Sequence, residues 1–217
     1  MHGSIGKRAG KVVLVLSAFS IVIGVWAVFP RNANLVGFDP DRMAEMDTAM
    51  WRDYYDKKYL ALFSELYALS REQFGFSPLD SLRIAVSAAR AAKTFQPTAS
   101  RAAAEAAVPD LANYYGLLAK AAPKPFDVSK AAELELDWWQ ARREHVSPED
   151  YGLTIARTSS LVYGIDNAKL REAGILRAKA MAYRDAHGDD MTEADWAAIN
   201  LQLRASYNAL KQGIRGS

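Results

Sequence analysis

From residue 39 onward, apolar side chains recur three and four positions apart, and no run of alternating β-branched residues interrupts them. Ala, Leu, Lys, Arg and Glu dominate, so the pattern predicts helices and no strands. The start signals are clear. Asp39-Pro40 offers a cap followed by proline at the first helical position, opening a long helix predicted over 40–74 that Gly75 ends. Ser77-Pro78 with Asp80, and Ser147-Pro148 with Asp150, use one device: a capping hydroxyl, a proline and an acid three residues after the cap. Thr192 with Asp195 does the same without proline. Pro97, Pro123, Gly164 and Gly188 are stops, and Pro109 breaks the alanine-rich stretch 99–122. Further helices are therefore predicted over 78–95, 99–122, 128–145, 148–163, 167–187 and 193–213. The fold class is all-α: an N-terminal transmembrane or signal helix, then a multi-helix, mostly antiparallel, bundle-like domain with short loops.

The N-terminal pattern differs. Residues 12–29 are apolar or small and carry no charge, close to the shortest stretch that spans a bilayer as a helix. Lys7, Arg8 and Lys11 precede it and only Arg31 follows closely, an asymmetry that places the N-terminus in the cytoplasm. Residues 1–30 are thus expected to form a cytoplasmic N-terminus and a single-pass anchor in a bacterial inner membrane, with Trp26 at the far interface. Residues 31–38 are read as a linker and 39–217 as an all-α periplasmic domain. If the apolar segment is instead a cleaved signal peptide, the domain is periplasmic or secreted.

Turned at about 100° per residue, the helices place several charges on apolar faces. In "ELELDWWQARRE", residues 133–144, Glu133, Asp137, Gln140 and Glu144 share one polar face, while Glu135 and Arg142 lie in the opposite arc with Trp138 and Trp139. The helix over 40–74 carries Asp47, Tyr54, Lys58 and Glu65 near the centre of an arc that includes Met50, Trp51, Tyr55 and Leu69. Arg177 and Arg184 share a face with Leu170, Ala173 and Met181, and the last helix presents Trp196, Ile199, Leu203, Tyr207 and Leu210. Buried charges need partners, and the simplest expectation is one interhelical network. Read structurally, it fixes helix register. Read functionally, an excess of inward arginine among aromatic rings holds an anionic ligand. Asp47, Trp51, Tyr54, Lys58, Glu65, Glu135, Trp138, Trp139, Arg142, Arg177 and Arg184 are then the candidate ligand-binding residues.

Composition narrows the chemistry. The 217 residues include no cysteine, which removes disulfides, thiolate nucleophiles and Cys-ligated metals. The three histidines, His2, His145 and His187, fall near a terminus or a helix end and form no Glu-x-x-His pattern, so no metal or cofactor is expected. No phosphate-cradling glycine motif occurs. A net charge of +2 with dispersed Lys and Arg gives no footprint for nucleic acid. Tyr114 and Tyr115 are read as core filling. No catalytic residue is assigned. The expected role is an accessory or scaffolding subunit that docks on another membrane or periplasmic protein. The alternative is a binding protein or enzyme with a buried Glu/Arg/Trp-lined pocket.

Overall fold

The computed structural model of the protein describes residues 26–28 and 32–215, which are helical or loop with no strand among them. Among the described residues from 32 onward, nine α-helices follow in order: α1 Pro40–Tyr55, α2 Tyr59–Glu72, α3 Pro78–Phe95, the single turn α4 Arg101–Ala104, α5 Val108–Leu118, α6 Val128–Arg143, α7 Pro148–Tyr163, α8 Ala168–His187 and α9 Glu193–Arg215. The apolar segment 12–29 lies outside the described residues except for a helical turn at 26–28. Among the described residues no helix is long and apolar enough to cross a membrane.

The predicted caps are formed. Asp39, Ser77 and Ser147 accept from the backbone N–H of Arg42, Asp80 and Asp150 at 2.8, 3.1 and 3.2 Å. Thr192 and Asp195 cap one another reciprocally, Asp195 N–H donating to Thr192 Oγ1 at 3.3 Å and Thr192 N–H to Asp195 Oδ2 at 2.8 Å. Pro109 falls in the first turn of α5, after a 3-10 turn at Glu105–Ala107. The long helix expected over 40–74 is two helices. Asp56, Lys57 and Lys58 form a tight reversal in which Lys57 takes φ +59° and the Lys58 N–H donates to Asp53 O at 2.8 Å. This is the left-handed helix ending usually given to glycine, here carried by a lysine, so glycine and proline signals do not reveal it.

Each main helix packs on its predecessor and its successor: α1 on α2, α2 on α3, α3 on α5, α5 on α6, α6 on α7, α7 on α8, α8 on α9. The last then packs on the first, α9 on α1, and closes a ring of eight helices. A helix in such a ring is covered on both flanks, so its polar face is narrower than a wheel suggests. Gln140, read as solvated, is 8% exposed for this reason. The segment read as a linker is packed against one end of the ring. Leu35 and Phe38 are each 2% exposed, Asn34 and Leu35 donate backbone N–H groups to Phe74 O and Ala121 O at 2.9 and 3.0 Å, and Lys211 donates its ammonium to Val36 O and to Phe38 O, the latter at 2.7 Å.

The α7–α8 crossing depends on two glycines. A Cβ on Gly174 would overlap the Gly152 carbonyl, and one on Gly152 would overlap the backbone of Ile175. Gly174→Ala is expected to lower stability by about 1–3 kcal/mol through overpacking, measured by urea denaturation. Unchanged stability would mean that the two helices can separate freely at this crossing.

Candidate ligand-binding cavity

Ring closure aims side chains from every main helix at a common interior. Two of the cavities there share Phe74, Tyr114, Glu135, Trp138, Arg177 and Tyr207 in their walls. The larger is about 780 Å³, within the 300–1,000 Å³ range typical of small-molecule sites. Its walls are mostly apolar and aromatic: Met43, Met50 and Trp51 from α1, Leu62, Phe63, Leu66 and Leu69 from α2, Ala88 and Ala92 from α3, and Trp138 and Trp139 from α6. The exposed members of its lining, Tyr54, Tyr59, Ala89, Lys93 and Gln96, mark the side open to solvent. The smaller, about 250 Å³, extends inward between α7, α8 and α9.

Two polar centres face this space. At the first, Asp47, 3% exposed, is held by the two terminal nitrogens of Arg177, the Nη2 to Oδ1 contact being 3.3 Å. The Tyr207 hydroxyl donates to Asp47 Oδ2 at 2.8 Å and accepts from Arg177 Nη1 at 3.1 Å. The Arg177 guanidinium also lies 5.4 Å from the Trp51 ring centroid. Burial works against the Arg177 charge, but the Asp47 charge and its hydrogen bonds outweigh it and hold the guanidinium well above its ordinary pKa.

At the second centre, the paired tryptophans find their role. Glu135 Oε2 accepts from the Tyr115 hydroxyl and from Trp138 Nε1, both at 2.6 Å, and Oε1 accepts from Trp139 Nε1 at 3.0 Å. The spacings of three and four residues put both indoles over the turn that carries the acid. All three donors are neutral. Burial raises the Glu135 pKa, opposed by these hydrogen bonds and by the charge of Arg177.

Seven of the eleven candidates therefore line the larger cavity: Asp47, Trp51, Tyr54, Glu135, Trp138, Trp139 and Arg177. The other four stand elsewhere, and the single network expected from the wheels is divided. Arg142 pairs with Asp185 at 2.8 Å and donates to the Tyr55 hydroxyl, and Arg184 stacks 3.4 Å from the centroid of the same Tyr55 ring. Lys58 is exposed and pairs with Asp56 at 2.8 Å and Asp53 at 3.8 Å in the α1–α2 reversal. Glu65, on α2 beyond that reversal, has one buried oxygen with no hydrogen-bond partner among the described residues, and burial raises its pKa. Tyr115 was read only as core, and its hydroxyl is a principal ligand of Glu135. No spacing rule links residues on different helices, so that role left no signal in the sequence. Tyr207 lay on an apolar arc, where a phenol needing a partner was the available hint. Among the described residues no three acidic or histidine side chains gather as a metal site. No protein-family model, curated protein or solved structure matches the chain.

Removing one member of the Asp47–Arg177 pair leaves a buried charge alone. Arg177→Met should cost about 3–5 kcal/mol, whereas Lys58→Ala should change stability by less than about 0.5 kcal/mol; chemical denaturation of both variants checks the ordering. Glu135 gives a pH signature. Its folded pKa is raised, so between the ordinary carboxylate value of about 4.3 and that raised value the folded chain binds more protons than the unfolded one. Stability contributed by the protonated acid is present below this window and is lost as pH rises through it. Glu135→Gln should remove that component of the pH dependence of stability, and identical pH profiles for the two proteins would contradict the placement of Glu135.

Proposed function

We propose that this domain is a binding protein for a small, largely apolar molecule, which it holds inside the helical ring. The observation that carries this reading is the cavity itself: about 780 Å³, open on one side, with aromatic and aliphatic walls from several helices and two fixed polar centres at its inner end. Few convergent polar groups in an apolar concave site are the usual form of a small-molecule pocket. The helix over the opening fits the role. α2 packs on α1 and α3 but carries only one buried residue, Ser70, and turns Leu62, Phe63, Leu66 and Leu69 to the cavity. An element with so little buried surface opens at low free-energy cost.

The anionic ligand expected from inward arginines has less support. Arg177 is committed to Asp47 and Arg142 to Asp185, and Arg184, which stacks on the Tyr55 ring, is outside the lining of the larger cavity. In the reading we favour, the apolar segment 12–29 tethers this binding domain to the outer face of a bacterial inner membrane. Docking on a membrane partner is a compatible second role, favoured by Leu60 and Tyr59, which are 86% and 56% exposed beside the cavity mouth.

The reading is tested with phenylnaphthylamine, an uncharged fluorophore that brightens in apolar surroundings. The unaltered protein should bind one equivalent saturably. Ala92→Phe, which places a ring in the cavity from α3, should weaken that binding at least about tenfold, a loss of about 1.4 kcal/mol. Absence of saturable binding, or equal binding by a folded Ala92→Phe protein, would overturn the assignment.

A further inference from the structure

The charges around the cavity balance in number but not in place. Asp47 and Arg177 neutralise one another at the wall, with Tyr207 completing the pair. Glu135 has no cation within ion-pair distance among the described residues; its partners are the hydroxyl of Tyr115 and the indoles of Trp138 and Trp139. Those three donors occupy three of the roughly four acceptor positions of a carboxylate. The cavity thus presents one acid without a positive partner, set among aromatic rings. Trp51, Tyr114, Trp138 and Trp139 all line this cavity. Lys93, the cationic member of the lining at the mouth, is exposed, where solvent and salt screen it.

A carboxylate held off from water, with the N–H edges of two indoles on its oxygens and the aromatic lining of the cavity beyond them, matches one ligand chemistry. An organic ammonium gains from the carboxylate and from the face of any lining ring it meets in the cavity, and a quaternary or tertiary ammonium needs no hydrogen bonds that this site lacks. A carboxylate or phosphate head would meet Glu135 as a like charge with no free guanidinium to offset it. We propose that the ligand is an organic cation, with its ammonium head beside Glu135 between Trp138, Trp139 and Trp51 and its apolar body along Leu62, Phe63 and Leu66 of α2. This rests on the cavity being a binding site and names the class of molecule it takes. Glu135 is the residue that selects the class; Trp138 and Trp139, which hold its two oxygens, act by positioning it.

Three probes with one apolar body separate this proposal from the reading beneath it: octyltrimethylammonium, octanol and octanoate. Each is titrated calorimetrically into the full chain at about pH 8, where a carboxylate is ionised unless its pKa is raised very far. The expected result is that octyltrimethylammonium binds at least about tenfold more tightly than octanol and that octanoate binds weakest. Glu135→Gln should bring the cation down to the affinity of octanol while leaving octanol unchanged. Octanol or octanoate binding as tightly as the cation overturns the ligand class and leaves the cavity reading standing. Failure of all three to bind overturns both. If Glu135→Gln does not fold, the ranking of the probes on the unaltered chain decides the proposal by itself.

Discussion

The ion pair between Asp47 and Arg177, sealed by the Tyr207 hydroxyl, ties α1 to α8 and α9 at the place where the ring closes, beside the apolar cluster of Ala44, Ala180, Trp196, Ile199 and Leu203. Alanine-rich helices slide easily on one another, because small side chains make shallow ridges. A bidentate guanidinium–carboxylate pair has a single good geometry. Placed where the last helices meet the first, it adds a defined register to a joint that apolar packing also holds. The Gly152–Gly174 crossing and the Lys211 ammonium on the Val36 and Phe38 carbonyls fix neighbouring joints in the same half of the molecule. The other half, α2 and α3 at the mouth, has no equivalent lock on α2, whose apolar side chains turn to the cavity.

This division gives the interior its character. Around the Asp47 pair the guanidinium, the carboxylate and the Tyr207 hydroxyl bond one another, so the two opposite charges there offset each other. Around Glu135 the acid is hydrogen-bonded but not neutralised. The first centre has the form of structure and the second the form of a site, because a group whose charged form is disfavoured by burial is one whose environment a suitable ligand improves. The paired tryptophans belong to both roles. Their indole N–H groups hold Glu135, and their rings form the wall beside it.

Much of the local structure was legible in the sequence. The caps at Asp39, Ser77, Ser147 and Thr192, the break at Pro109 and the helical character of the domain follow from short-range chemistry that the wheel and the capping rules describe. The inward orientation of Asp47, Glu135 and Arg177 was legible too, because it depends only on helical period. What could not be read depends on distance in space. The reversal at Lys57 carries no glycine or proline, so the helix over 40–74 looked continuous and Lys58 and Glu65 were grouped with charges they do not meet. The division of the inward charges into an Asp47–Arg177 centre and an Arg142–Asp185–Tyr55 cluster is set by which helices the ring makes adjacent. The burial of Gln140 has the same origin. The hydroxyl of Tyr115 on Glu135 was the most consequential omission, since it turns an isolated buried acid into an oriented one.

A site for a small molecule inside the helical ring is the central proposal for this protein. Native mass spectrometry of the chain, purified gently from the cells that make it, tests this most directly. The expected result is a non-covalent adduct of one small cationic amphiphile per chain, lost in the Ala92→Phe protein. A chain recovered without any small-molecule adduct and only in fixed stoichiometry with another protein would contradict it, and would make the helical ring a docking module.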